Sequence, residues 1–174
     1  MAITLVLGGA RSGKSAYAQR QAEQAAATTG GQPLMLATAE AFDDEMRDRI
    51  DRHRVERGDG WRTLEVPLDL AAAVRGLTAE NVVVVDCLTL WLSNQMLGDR
   101  DLPAAVDDLA DAFAGCPASV WAVSNEVGWS LVPENALGRR FRDEAGRLNQ
   151  RIATVADTAC LIVAGMKLDL HPAP

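Results

Sequence analysis

The chain has 174 residues, 48% of them hydrophobic, a length and composition that suit one domain, residues 1–174, with a sizeable core. Its 17 basic and 24 acidic residues give a net charge of -7, which argues against broad binding to nucleic acid or anionic lipid. No apolar run approaches the roughly 18 residues that span a bilayer, and no basic stretch followed by a signal-type apolar segment opens the chain, so neither membrane insertion nor export is expected. Cys87, Cys116 and Cys160 lack CxxC spacing, and two of them lie in or beside apolar runs; they read as reduced core thiols of a cytoplasmic protein.

In chain order, Ile3-Thr4-Leu5-Val6-Leu7 reads as a buried strand that runs into Gly8-Gly9-Ala10-Arg11-Ser12-Gly13-Lys14-Ser15. That stretch fits the phosphate-binding loop pattern, a glycine, four residues, then Gly-Lys-Ser. Ala16 to Ala27, rich in alanine and glutamine, reads as the helix the loop requires. The glycines free successive N–H groups to point at one polyphosphate, and the helix N-terminus adds positive charge. Lys14 would reach the β and γ phosphates, and the Ser15 hydroxyl would hold Mg²⁺. A glycine-rich turn that binds nothing is the competing reading.

After the turn Thr29-Gly30-Gly31-Gln32-Pro33, the run Leu34-Met35-Leu36-Ala37 reads as a second buried strand. Residues just past such strands face the ligand crevice of an open parallel sheet, which makes Thr38 and its neighbours candidates to line the nucleotide site; an ordinary loop is the alternative. From Asp43 to Arg57 acids come first and arginines last, the polarity of a helix dipole, with Met46, Ile50 and His53 on one face. Nothing local fixes a role for His53, and the arginines suit a solvated face equally well. Gly58-Asp59-Gly60 ends that helix. Trp61 to Val66 reads as a half-exposed strand, at an edge or in a hairpin, and Leu68 to Leu77 as a helix.

Val82-Val83-Val84-Val85-Asp86 places an acid at the end of a strand buried on both faces. In a phosphate-loop protein this is the place of the second metal-orienting acid, so Asp86 is a candidate Mg²⁺ partner; a structural N-cap for the helix starting at Leu88 is the competing role. An acidic amphipathic helix follows from Ala104 to Ala114, then the strand Ser119 to Val123, which ends in the polar run Ser124-Asn125-Glu126-Val127-Gly128. From Pro133 to about Ala156 a long helix carries Leu137, Phe141, Leu148, Ile152 and Val155 as its expected buried stripe, with five arginines on its other faces. Ala159 to Ala164 is the last expected strand, and Met166 to Pro174 reads as a frayed tail. Strands alternate with helices throughout, which predicts an α/β layer sandwich with a mainly parallel sheet.

Together these motifs resemble the bifunctional adenosylcobinamide kinase and adenosylcobinamide-phosphate guanylyltransferase family of cobalamin biosynthesis. Beyond the phosphate loop, the resemblance is carried by Ala37-Thr38-Ala39, Asp43-Asp44-Glu45-Met46, Arg49-Ile50, His53-Arg54 and Trp61-Arg62-Thr63 with Glu65. Asp86-Cys87-Leu88-Thr89, Asn125-Glu126-Val127-Gly128, Val132-Pro133-Glu134-Asn135, Phe141-Arg142-Asp143 and Asn149-Gln150 continue it over nearly the whole chain. The resemblance implies a RecA-like P-loop NTPase fold, a mainly parallel sheet with helices on both faces, assembled as a homotrimer. It implies that Lys14, Ser15, Mg²⁺ and Asp86 serve γ-phosphoryl transfer from ATP or GTP to the aminopropanol hydroxyl of adenosylcobinamide. It also implies that His53 takes GMP from GTP and passes it to adenosylcobinamide phosphate, with Arg54 and Arg57 neutralising charge on the leaving group. The nucleotide-binding set it suggests is Gly8, Gly9, Ala10, Arg11, Ser12, Gly13, Lys14 and Ser15 with Thr38, Ala39, Glu40, Arg54, Val55, Glu56, Arg57, Glu65 and Asp86. The chain departs from many members at Gly58, where they carry proline, and at Trp129-Ser130, where some are glycine-rich. A kinase for another small hydroxyl substrate, with His53 structural, and a RecA-like nucleotide-dependent binding protein are the alternatives; the acidic charge disfavours a nucleic-acid surface for the latter.

Overall fold

The computed structural model describes residues 2–40 and 60–172. His53, Arg54, Val55, Glu56, Arg57 and the helix expected from Asp43 to Arg57 lie outside the described residues. The strands are β1 (Ile3–Gly8), β2 (Leu34–Ala37), β3 (Arg62–Glu65), β4 (Val82–Asp86), β5 (Ser119–Asn125), β6 (Thr158–Val163) and β7 (Met166–Leu170). They form one sheet in the order β3-β2-β4-β5-β1-β6-β7, parallel throughout except for β7, which runs antiparallel to β6.

The described helices are α1 (Lys14–Thr29), α2 (Leu70–Arg75), α3 (Leu88–Leu97), α4 (Leu102–Ala114) and α5 (Ala136–Ala153). They divide between the two faces as the alternation of apolar residues dictates. Val83 and Val85 of β4 belong to the larger core beneath α2, α3, α4 and α5, whereas Val82 and Val84 point to the opposite side, where α1 lies. α1 reaches that face through Ala18, Ala22 and Ala26, whose small side chains let the helix settle close against Val6, Val84 and Val123. The run of four valines is thus buried on both faces, as a central parallel strand must be.

The helix ends follow local chemistry. Asp101 caps α4 by accepting from the Ala104 N–H at 3.2 Å, with Pro103 in the first turn. Asn135 caps α5 by accepting from the Gly138 N–H at 2.6 Å, which sets its start three residues beyond Pro133. The capping position of α3 belongs to Cys87 and has no side-chain cap, so the N-cap role considered for Asp86 is not realised.

Two further expectations need correction. Met166 to Leu170 is not frayed: Ala164 (φ 51) and Gly165 (φ 77) form a two-residue turn with both residues in the left-handed region, which folds β7 back onto β6. In α5 the buried positions are Ala145, Leu148, Asn149 and Ile152, while Leu137 is 57% exposed. Leu137 continues a run of exposed apolar residues, Trp129, Leu131 and Val132, that precedes the helix and lies off the core. No described helix is long and apolar enough to cross a membrane.

Candidate nucleotide site

Six parallel strands end at one edge of the sheet, and the functional candidates sit there because each follows or ends a strand. Gly8 ends β1 level with Asn125 of β5, and Asp86 ends β4 level with Val123, slightly lower on the same strand. Asp86, Ala37 and Glu65 form a row across β4, β2 and β3.

The loop between β1 and α1 turns through Arg11 (φ 55) and Gly13 (φ 96), the latter at the N-cap of α1 in a conformation that a side chain would strain. Gly8 is required for space: a Cβ there would stand 2.5 Å from Ser12 Oγ and 2.6 Å from the Ile162 carbonyl. Within the loop the Ser12 N–H donates to Gly9 O at 3.3 Å, and Lys14 Nζ crosses the loop to donate to the same carbonyl at 3.0 Å. Lys14 is buried, so its ammonium is held beneath the loop rather than in bulk water. Ser15 follows in the first turn of the helix. The turn of the C-terminal hairpin supports the loop from outside: the Gly165 N–H donates to Ser12 O at 2.9 Å.

The loop joins the end of a parallel strand to a helix N-terminus, the arrangement that binds a polyphosphate. Asp86 stands two strands from β1, about 10 Å away at the usual strand spacing. Ser15 and Asp86 offer a hydroxyl and a carboxylate, the hard oxygen donors that Mg²⁺ takes together with water and phosphate oxygens. Among the described residues no group of three or more His, Cys, Asp or Glu could hold a metal by itself, which is compatible with an ion that relies on phosphates for most of its shell.

The Thr38 hydroxyl is engaged within the protein. It lies past β2 at the expected edge, but it is fully buried and its hydroxyl is committed twice, donating to Cys87 O at 2.7 Å and accepting from Cys87 N–H at 2.8 Å. Asn94 holds the Thr38 carbonyl at 2.8 Å and the Pro67 carbonyl at 3.0 Å. Thr38 therefore ties the end of β2 to the segment after Asp86 and has no O–H left to donate to a ligand. Ala39 and Glu40 follow it at the edge, half-buried. Glu65 is exposed on the outermost strand, four strand intervals or about 19 Å from β1, so it can meet only a part of a nucleotide remote from the loop. Burial pushes the Cys87 thiol up to about 11, with the neighbouring Asp86 charge adding to the shift, so the thiol stays protonated and unreactive.

A polar network beside the loop went unrecognised in the sequence. Thr89, Ser124 and Asn149 are buried, and they link α3, β5 and α5. The Asn125 N–H donates to Thr89 Oγ1 at 2.7 Å, the Thr89 and Ser124 hydroxyls lie 3.3 Å apart, and Ser124 donates to Asn149 Oδ1 at 2.6 Å. Asn149 Nδ2 then donates to Asn125 O at 3.3 Å and Glu126 Oε1 at 3.1 Å. The available signal was Asn149 itself, an amide set in the apolar stripe between Leu148 and Ile152.

The model of the family described as cobinamide kinase / cobinamide phosphate guanyltransferase matches residues 4–170. The chain is 45% identical to the bifunctional adenosylcobalamin biosynthesis protein CobP of Pseudomonas aeruginosa, over 98% of each chain. It is 38% identical to the bifunctional adenosylcobalamin biosynthesis protein CobU of Escherichia coli and 39% identical to that of Salmonella typhimurium, in both cases over 93% of this chain and 96% of the relative. Among solved structures, an ATPase domain superposes with a TM-score of 0.51 at 14% identity, over 92% of this chain and 68% of that one, a likeness of fold. The phosphate loop, the strand order and these matches together establish that the chain has a RecA-like P-loop NTPase fold and belongs to the cobinamide kinase / cobinamide phosphate guanyltransferase family of transferases.

Proposed function

We propose that this protein phosphorylates the aminopropanol hydroxyl of adenosylcobinamide with ATP or GTP and then transfers GMP from GTP, through a covalent GMP–His53 intermediate, to give adenosylcobinamide-GDP. The observation that carries the reading is the phosphate loop itself, with Lys14 drawn across it and Asp86 at the same sheet edge, in a chain of a family whose description names both reactions.

In the kinase step the acceptor oxygen attacks the γ-phosphorus and the nucleoside diphosphate leaves. The loop N–H groups and Lys14 hold the β and γ phosphates in line and take up the charge that develops on them. Ser15 and Asp86 would hold Mg²⁺, which when bound supplies further neutralisation of the phosphate oxygens. In the second reaction a neutral imidazole nitrogen of His53 attacks the α-phosphorus of GTP and pyrophosphate leaves; a phosphate oxygen of adenosylcobinamide phosphate then displaces the histidine. Ala39, Glu40, Arg54, Val55, Glu56, Arg57 and Glu65 complete the proposed nucleotide contacts, with Arg54 and Arg57 to neutralise charge developing on the departing pyrophosphate. Thr38 supports this set through Cys87.

The reading includes a single catalytic domain, cytoplasmic and assembled as a homotrimer without a nucleic-acid partner. The run of exposed apolar residues Trp129, Leu131 and Val132 with Leu137 is in keeping with burial against a neighbouring subunit or the corrinoid. The test is incubation with GTP labelled at the α-phosphate. Acid-labile, base-stable label on the protein, lost in His53→Ala, is the expected result; absence of protein-bound label under turnover conditions rejects the guanylyl half.

A further inference from the structure

Glu126 is the first residue beyond β5, and its backbone N–H donates to Gly8 O at 3.1 Å. It is thereby fastened to the first residue of the phosphate loop, next to Gly9, whose carbonyl receives the Lys14 ammonium. The carboxylate is therefore carried by a backbone position held against the start of the phosphate loop.

What holds that carboxylate is unusual for a surface acid. The Thr89 oxygen already accepts from the Asn125 N–H, so its own hydrogen is available to Ser124 Oγ; the Ser124 hydroxyl donates to Asn149 Oδ1 at 2.6 Å. That bond fixes the Asn149 amide with its NH₂ toward Glu126, and Nδ2 donates to Glu126 Oε1 at 3.1 Å. The chain of donors runs in one direction and ends on the carboxylate. Three buried polar side chains in an otherwise apolar layer lower stability unless fully satisfied, so their alignment on one half-buried acid points to a functional use. Among the described residues no lysine or arginine forms an ion pair with Glu126. Asp86, the acid that ends the neighbouring strand β4, is already assigned to Mg²⁺ in the reading above.

We propose that Glu126 is the base that takes the proton from the acceptor hydroxyl in the kinase step, with Asn149 as the positioning residue that aims it. This rests on the two-reaction reading above. As the hydroxyl oxygen forms its bond to the γ-phosphorus, the O–H proton passes to the Glu126 carboxylate and the bond from the γ-phosphorus to the nucleoside diphosphate breaks; the proton is returned to water when products leave. The guanylyl reaction needs no such base. Its nucleophiles are a neutral imidazole nitrogen and then an ionised phosphate oxygen, and each attacks through a lone pair that carries no proton.

The chemistry therefore predicts a division between the two reactions that a structural or metal-holding acid would not produce. In Glu126→Gln, kcat for phosphorylating adenosylcobinamide should fall by about 10²–10⁴-fold with the KM for nucleotide changed by less than about threefold. The same variant should still take label from α-labelled GTP and convert supplied adenosylcobinamide phosphate to adenosylcobinamide-GDP. Glu126→Asp, which keeps the carboxylate one methylene shorter, should recover part of the kinase rate, and it provides a second folded variant should the glutamine form not fold. Kinase activity in Glu126→Gln within a few-fold of the unmodified protein, or parallel loss of both reactions in both variants, overturns the proposal. Failure of the unmodified protein to take label is a failure of the guanylyl reading and is scored separately from the kinase rate.

Discussion

Replacing Thr38 with valine keeps the shape of the side chain and removes its hydroxyl. Two hydrogen bonds disappear, and both leave a backbone group of Cys87 without its partner in a residue only 5% exposed. Each stranded buried group costs about 1–3 kcal/mol, so the two together cost about 2–6 kcal/mol, of which the added methyl offsets about 1 kcal/mol. Set against a total stability of about 5–15 kcal/mol, that is a large loss. With a urea dependence of about 2 kcal/mol per molar, the unfolding midpoint of the nucleotide-free protein should drop by about 0.5–2.5 M. Thr38→Ser, which keeps the hydroxyl, should lose much less. A Thr38→Val protein with an unchanged midpoint but tenfold weaker nucleotide binding would refute the reasoning and return Thr38 to the role of a direct nucleotide contact.

Two other substitutions probe the surroundings of the loop. Gly165→Val forces a β-branched residue into φ 77 at the turn whose N–H supports Ser12, at a cost of about 1–2 kcal/mol, and should raise the KM for nucleotide; Gly165→Asn, which tolerates that conformation, should not. Equal KM values for the two variants would show that the hairpin does not brace the loop. Cys87 provides a pH test. Its folded pKa is raised from 9.0 to about 11, so above pH 9 the thiol ionises in the unfolded chain before it does in the folded one. Stability from this group is intact below pH 9 and falls as pH rises toward 11, by at most about 3 kcal/mol. Urea melts at about pH 8 and about pH 10.5, which bracket the unfolded thiol's titration, should show a steeper loss for the unmodified protein than for Cys87→Ala, and identical slopes would contradict the burial argument.

The phosphate loop was legible because its spacing is tied to a mechanism and its strand and helix flanks are local in sequence. The four valines before Asp86 were legible for a similar reason, since burial on both faces leaves a continuous apolar run. What escaped depended on distant partners or on a turn. β7 was hidden because Ala164-Gly165 lacks the commonest hairpin residues, although the alternation Met166, Leu168, Leu170 was present. Thr38 was placed correctly at the sheet edge, but only the approach of Cys87, 49 residues away, showed that its hydroxyl is occupied. Glu126 could be read only as a polar residue at a strand end, because the group that aims it, Asn149, arrives from a helix 23 residues later.

In the proposed function one phosphate loop serves transfers at two different phosphorus atoms, with His53 separating them. The most direct test is the product distribution when adenosylcobinamide, ATP and GTP are supplied to Lys14→Ala and His53→Ala. Lys14→Ala should make neither product, whereas His53→Ala should accumulate adenosylcobinamide phosphate and form no adenosylcobinamide-GDP. Adenosylcobinamide-GDP from His53→Ala, or its formation from supplied adenosylcobinamide phosphate by Lys14→Ala at the unmodified rate, would contradict the shared-loop mechanism.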